Sequence, residues 1–304
     1  MHPNDPTALP KKPRETIRKL TEAIMNGVFF VCGAIAVLCV LLISVYMIVA
    51  GVPAIRQIGL GEFLLGTSWK STAAEPSYGI LPFILTSICG TLGAVAIGVP
   101  LGLLTSVLLA KAAPKKLAGP VSGAIELLSG IPSVVYGLLG MTVLVPAVAK
   151  AFSLSSGACL FSAILVLSVM ILPGIVSVST TALNAVPPEY EQGSLALGAT
   201  DAETWFKISI PAARSGIAAG VVLGIGRAVG EAMAVMMVAG NVANMPGIFQ
   251  SVTFLTTAIA KEMSYASGLQ RQALFSIALV LFVFIMLLNA VLNLVLKGGK
   301  TDEK

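Results

Sequence analysis

Residues 28–50 read VFFVCGAIAVLCVLLISVYMIVA, and no charge interrupts the longer interval from Glu22 to Arg56. A bilayer core takes about 20 apolar residues in a helix that rises about 1.5 Å per residue. This stretch alone is therefore long enough to cross a membrane. The whole chain is 56% hydrophobic and 11% charged, whereas an average soluble protein has about 25% charged residues. The composition therefore predicts a protein that is embedded in a lipid bilayer.

The same reading predicts an all-α polytopic membrane protein with six transmembrane helices. The five further spans are expected at residues 80–110, 121–149, 158–182, 213–240 and 272–296. Only the fifth carries charges deep inside it. We expect one membrane domain over residues 26–297, between polar tails at 1–25 and 298–304.

Lysine and arginine placement predicts the orientation, because cytoplasmic loops carry the basic excess. With the N-terminus inside, most basic residues fall in cytoplasmic segments: Lys11, Lys12, Arg14, Arg18, Lys19, Lys111, Lys115, Lys116, Lys207, Arg214, Lys297, Lys300 and Lys304. The outside segments hold Arg56, Lys70, Lys150, Lys261 and Arg271. Both tails are therefore predicted to be cytoplasmic. The net charge of +5 reflects this topology, and no nucleic-acid partner is expected.

Several kinds of chemistry are absent from the sequence. His2 is the only histidine and lies in a polar tail. The four cysteines fall in apolar spans without CxxC spacing: Cys32, Cys39, Cys89 and Cys159. Gly299-Lys300-Thr301 resembles the end of a phosphate-binding loop, but Leu294 stands where that loop needs its first glycine. We expect no catalytic residue, no metal site, no cofactor and no ATP hydrolysis by this chain.

The segment between spans four and five, residues 187–211, reads PPEYEQGSLALGATDAETWFKISIP. Its prolines stop the fourth helix. Two short helices should follow, separated by a turn at Gly198, with Asp201 capping the second. Trp205 and Phe206 should offer an apolar surface to a groove on a partner.

This segment resembles the EAA loop, which couples the membrane subunits of ABC importers to their ATP-binding subunits. Gly198 and Pro211 stand at the family spacing, whereas Gln192 replaces the family glutamate and Glu191 precedes it by one place. The resemblance implies that the contact with the ATPase is made by residues of this loop, namely Glu191, Gln192, Gly198, Trp205, Phe206 and Pro211. The residues alone also allow an ordinary amphipathic linker helix in an unrelated transporter.

Span five contains Arg227 and Glu231, four residues apart and therefore expected on one helix face. A charge at mid-bilayer costs about 2.5–3.5 kcal/mol or more, so both should face the bundle interior or an aqueous path. A local ion pair that only joins two helices is the alternative. Glycines on this helix should let a neighbouring helix approach closely, at positions 216, 220, 224, 226 and 230.

Three stretches resemble the permeases of phosphate importers: residues 226–235, GRAVGEAMAV; residues 124–137, AIELLSGIPSVVYG; and Gly240-Asn241 with Met245-Pro246-Gly247. The likeness runs from about Gly79 to the sixth span and is closer to the PstC-type than to the PstA-type subunit. It implies the fold of a type I ABC importer permease in the inner membrane, with Arg227 and Glu231 on the substrate path.

The same resemblance implies the partners: a second, PstA-type permease, two ATP-binding subunits and an extracytoplasmic phosphate-binding protein. Two other functions stay open. One is an ABC permease for another oxyanion, such as molybdate or sulfate, and the other is an ion-coupled secondary transporter.

Overall fold

The computed structural model describes residues 13–298, and it confirms the all-α fold. The helices are α1 (Pro13–Ile58), α2 (Leu60–Leu65), α3 (Leu81–Val107), α4 (Lys115–Gly130), α5 (Ser133–Leu139), α6 (Val145–Ala151), α7 (Leu160–Asn184), α8 (Pro188–Ala196), α9 (Asp201–Thr204), α10 (Ile210–Ala212), α11 (Arg214–Gly230), α12 (Met233–Val238), α13 (Leu255–Glu262) and α14 (Gly268–Gly298). Wider π-helical turns cover Leu108–Ala112, Gly140–Leu144 and Trp205–Ser209. Strands β1 (Trp69–Lys70) and β2 (Ser77–Tyr78) pair in an antiparallel hairpin.

Five stretches are long and apolar enough to cross a bilayer: Thr21–Ile58, Leu81–Ala112, Ser133–Ala151, Leu160–Asn184 and Gly268–Val291. A bent pair, Asp201–Ala212 with Arg214–Gly230, passes the same test only when its two parts are taken together as one span, and these parts meet at 74°. Helix α1 begins at Pro13, inside the segment expected to be a tail. The parts of the expected tails at 1–12 and 299–304 lie outside the described residues.

Two of the predicted spans are not continuous helices. The third, expected over 121–149, breaks where α4 ends at Gly130 and α5 begins at Ser133. Ile131 is extended, with φ −70° and ψ 127°, because the ring of Pro132 disfavours a helical conformation for the residue before it. The fifth, expected over 213–240, breaks between α11 and α12.

Residues up to Ala50 and residues from Gly51 onward form two separate units. In the first unit, helix α1 exposes large apolar side chains such as Phe29, Phe30 and Val37. A helix that is apolar all round is typical of a membrane span.

In the second unit, α7 packs against both α3 and α11, and Ile175 of α7 contacts both. A Cβ added to Gly102 of α3 would lie 2.8 Å from Ile175 Cγ2, and one added to Gly224 of α11 would lie 3.0 Å from Ile175 Cγ1. Glycine is needed at both positions because any side chain would separate the helices.

The predicted close approach of another helix to the glycines of α11 holds for one face only. Gly216 and Gly220, like Gly224, are directed at α7, where an added Cβ would meet Ala182 or Val178. Gly226 and Gly230 face open space within the described residues. The glycines of α11 that pack on α7 therefore all lie before its charged C-terminal turn.

Candidate functional site

Arg227 lies in the last turn of α11, at the edge of the face that packs on α7. Gly224 and Ala228 are buried on that face, and Arg227 is half-buried. The cation is placed favourably at a helix C-terminus, where unpaired carbonyl groups carry partial negative charge. Its charge also acts on the phenol of Tyr136. Among the described residues, its guanidinium makes no hydrogen bond or ion pair.

Glu231 lies outside α11, so the expectation that it shares a helix face with Arg227 is wrong. Gly230 is the last helical residue, and Glu231 is extended, with φ −73° and ψ 128°. Its Oε1 accepts a hydrogen bond from the backbone N–H of Ala234 at 3.0 Å. Its carbonyl oxygen accepts one from the Thr256 hydroxyl at 2.8 Å. These two bonds hold the chain at the break, and in this part of the structure no ion pair joins the two charges.

Tyr136 bridges the other break, between α4 and α5. Its hydroxyl donates a hydrogen bond to the carbonyl oxygen of Leu128, at 2.6 Å. Leu128 is in the last turn of α4, where carbonyl groups have no partner within the helix. No sequence pattern identifies Tyr136 as the residue that makes this bond, although Pro132 disfavours a helical Ile131 at the break.

The two breaks lie side by side because α5 packs against α12. A Cβ added to Gly137 would lie 2.8 Å from Ala234 Cα, and one added to Gly140 would lie 2.7 Å from Val238 Cγ1. Non-helical backbone at membrane depth is tolerated only where protein buries it or where it lines an aqueous cavity. Two adjacent breaks beside an unpaired arginine therefore define the candidate site for an anion that crosses the membrane.

The coupling segment, residues 187–211, has the predicted pair of short helices, α8 and α9. Gly198 lies at the turn between them, as predicted, and its φ of +89° is one that glycine adopts readily. The N-cap of α9 is Thr200 and not Asp201, because the Thr200 hydroxyl accepts from the N–H of Glu203 at 3.3 Å. Glu203 in turn accepts from the N–H of Thr200 at 3.1 Å, which completes a capping box.

Glu191 points into the protein, whereas Gln192 is exposed. Oε1 of Glu191 lies 2.6 Å from Nζ of Lys111 and accepts a hydrogen bond from the Ser209 hydroxyl at 2.8 Å. Burial alone would raise the pKa of Glu191, but the hydrogen bonds from Lys111 and Ser209 and the charge of Lys111 outweigh it and lower the pKa below its ordinary value. Lys111 was noted in the sequence only as a topology signal.

The two aromatic residues of the coupling segment differ in exposure. Trp205 is half-buried and packs against an apolar cluster that includes Leu183, whereas Phe206 is 51% exposed. Leu197, which the sequence analysis did not select, is 91% exposed. Pro211 lies in the first turn of α10, where a missing N–H costs nothing.

Residues 98–298 match the family described as binding-protein-dependent transport system inner membrane component. The chain belongs to this family, and it is a multi-pass inner-membrane permease subunit rather than an enzyme, as the sequence predicts. Membership decides against the ion-coupled secondary transporter.

Curated relatives agree with this class. The chain is 39% identical over 284 residues to the probable ABC transporter permease protein YqgH of Bacillus subtilis, covering 90% of this chain and 91% of the relative. It is 34% identical over 290 residues to the phosphate transport system permease protein PstC of Haemophilus influenzae, covering 88% and 89%.

Solved structures show the same fold. A permease chain of a bacterial ABC transporter that imports the polysaccharide alginate matches with a TM-score of 0.62 and 14% identity, covering 94% of this chain and all of that one. A chain of the inward-facing MetNI methionine ABC transporter matches with a TM-score of 0.59 and 20% identity, covering 73% and 96%. The type I ABC importer permease fold predicted from the sequence is confirmed.

Proposed function

We propose that this chain is the PstC-type permease subunit of an ATP-driven importer of inorganic phosphate. The observation that carries the proposal is the half-buried Arg227, which has no partner among the described residues and lies beside two helix breaks. Relatives named as phosphate permeases, of which two are 34% and 36% identical over most of the chain, support phosphate as the anion.

Arg227 would supply the positive charge that phosphate needs in a low-dielectric path. An unpaired anion is prohibitively costly away from water. A guanidinium is protonated at any accessible pH and offers a planar fork of donors to two phosphate oxygens. Glu231 belongs to the same path, at the break where its carboxylate is bonded to Ala234. Oε1 of that carboxylate accepts from Ala234, and no ion pair joins Glu231 to Arg227 among the described residues, so Arg227 stays available to the anion.

The remaining partners follow from the proposed class. A PstA-type permease would complete the path, and two ATP-binding subunits would dock on residues 187–211. The exposed side chains of Phe206 and Leu197 suit a groove on those subunits. An extracytoplasmic phosphate-binding protein would deliver the anion and supply most of the selectivity. ATP-driven closure would then switch the path between its two sides.

Phosphate uptake tests the proposal in a bacterial strain that lacks its own phosphate importers. The chain is expressed with its partner subunits, and uptake of radiolabelled phosphate is measured with and without excess molybdate or sulfate. We expect uptake that requires this chain and that neither competitor lowers. Uptake of molybdate or sulfate in place of phosphate would assign the permease to another oxyanion.

A further inference from the structure

Three segments that are distant in the sequence meet at the side chain of Glu191. Lys111 Nζ lies 2.6 Å from Glu191 Oε1, and the Ser209 hydroxyl donates to the same oxygen at 2.8 Å. Lys111 belongs to the π-helical turn that ends α3, Glu191 to α8, and Ser209 to the π-helical turn that follows α9. The cluster therefore ties both helices of the coupling segment to the end of a membrane helix.

This ion pair is shielded from water, unlike the other pair of the coupling segment. The side chains of Lys111 and Glu191 are 12% and 22% exposed, whereas those of Lys207 and Glu203 are 73% and 47% exposed at 3.2 Å. Exposed pairs are screened and contribute little. Breaking a shielded pair leaves the remaining charge uncompensated, so the Lys111–Glu191 contact resists displacement of α8 relative to α3.

Closely packed helices connect the end of α3, where Lys111 lies, with the proposed anion site. Helix α3 packs on α7 where Gly98 contacts Ile171 and Gly102 contacts Ile175. The same Ile175 contacts Gly224 of α11. Because interiors packed this closely transmit strain, a displacement of α3 would pass through α7 to the helix that carries Arg227.

We infer that the Lys111–Glu191 pair is the link through which movement of the coupling segment reaches α3 and, through α7, the anion site. The inference rests on the proposed coupling function of residues 187–211. It makes Lys111 and Glu191 positioning residues. Glu191 is assigned to a contact within this chain, and the exposed Gln192 beside it faces the ATP-binding subunit.

The test uses the transporter purified with its partner subunits through a tag on this chain and reconstituted in liposomes. ATP hydrolysis is measured with and without the substrate-loaded binding protein, and radiolabelled phosphate uptake is measured in parallel. The single variants are Lys111→Met, Lys111→Arg and Glu191→Gln, and the charge-exchange variant combines Lys111→Glu with Glu191→Lys. Lys116→Met and Glu126→Gln are matched controls, because both residues are exposed and lie outside the coupling segment.

Lys111 lies outside the docking segment, so Lys111→Met should keep its ATP-binding subunits and its basal hydrolysis. Glu191→Gln removes the other half of the pair. Stimulation by the binding protein should fall by about tenfold, within the usual range of coupling between distant sites. Lys111→Arg and both controls should keep the stimulation, and the charge-exchange variant should recover most of it. If a single variant does not assemble, the stimulation of hydrolysis in the charge-exchange variant, compared with the parental transporter, tests the inference.

Unchanged stimulation in the single variants, or no recovery after charge exchange, would overturn the inference. Loss of the ATP-binding subunits in Glu191→Gln alone would show that Glu191 contacts them directly, which also overturns it. A parental transporter that is stimulated only by a binding protein loaded with another anion would disprove phosphate as substrate and leave the link intact, because the variants can then be compared under stimulation by that anion.

Discussion

The carboxylate of Glu231 accepts a hydrogen bond from the backbone N–H of Ala234, with 3.0 Å between Oε1 and N. Ala234 is in the first turn of α12, where N–H groups have no partner within the helix. An anionic acceptor is stabilising at that end. Glu231, the acid closest in sequence to Arg227, is therefore bonded to the backbone, and no ion pair joins it to Arg227 among the described residues.

Two substitutions of Glu231 distinguish the role of its hydrogen bond to the backbone from the role of its charge. Glu231→Ala removes the acceptor for the Ala234 N–H and should destabilise the protein by about 1 kcal/mol, as the loss of other helix caps does. Glu231→Gln keeps an oxygen in place and should be milder. Membrane abundance and the thermal stability of the purified complex are the measurements. Glu126→Ala, at an exposed residue of α4, is the control, and equal behaviour of the Ala and Gln variants would contradict the capping role.

The sequence shows the spans but not both breaks within them. Charge-free length identifies a membrane segment whether or not the helix is continuous, because hydropathy does not depend on backbone angles. Pro132 disfavours a helical Ile131, but Pro100 and Pro173 lie inside continuous helices, so a proline alone does not identify the first break. The second break has no proline. It is held by a tertiary hydrogen bond between Glu231 and Thr256, which are 25 positions apart in the sequence.

In the coupling segment, the sequence predicts the local backbone conformation better than the tertiary contacts. The positive φ of Gly198 follows from a glycine between two short helical patterns. The partner of Glu191 could not be predicted from the sequence, because Lys111 is distant along the chain and its contact with Glu191 depends on how α3 ends. Trp205 was expected on a docking surface, but its half-buried position depends on the packing of α7 and α11 around it.

Packing at Ile175 predicts the result of enlarging Gly102. In Gly102→Val the new side chain would meet Ile175, whose other side already contacts Gly224. Ile175 has no room to move, so we expect a loss of about 1–3 kcal/mol and a lower membrane abundance. Gly119→Ala is the control because a Cβ there meets nothing within 4 Å. Gly102→Ala, which adds only a methyl group, should lose less abundance than Gly102→Val, and equal abundance of the two variants would contradict this account.

Gly198 should be essential for the shape of the coupling segment. A β-branched side chain is strained at φ +89°, so Gly198→Val should either prevent the ATP-binding subunits from co-purifying or lower the phosphate transported per ATP. Gly198→Asn should be better tolerated, because asparagine adopts positive φ more readily. Gly193→Ala, in the helical part of the segment with open space around it, serves as the control. A Val variant that transports at the parental rate would disprove the coupling role.

Arg227 gives the sharpest test of the proposed anion path. Among the described residues it has no hydrogen bond or ion pair to lose, and removing an unpaired charge from the membrane lowers the cost of inserting the helix. Arg227→Gln should therefore keep or raise membrane abundance while it abolishes phosphate uptake. Arg227→Lys keeps the charge but loses the planar fork.

We expect Arg227→Lys to retain partial uptake, lower by roughly ten- to a hundredfold, because one charged hydrogen bond contributes about 1.5–3 kcal/mol. Uptake of radiolabelled phosphate is divided by the amount of chain in the membrane, so that transport and assembly are separated. Glu126→Gln, which changes an exposed charge on α4, controls for altered charge alone. A structural role predicts the opposite pattern, in which uptake per assembled transporter is unchanged and abundance falls. That result would remove Arg227 from the anion path.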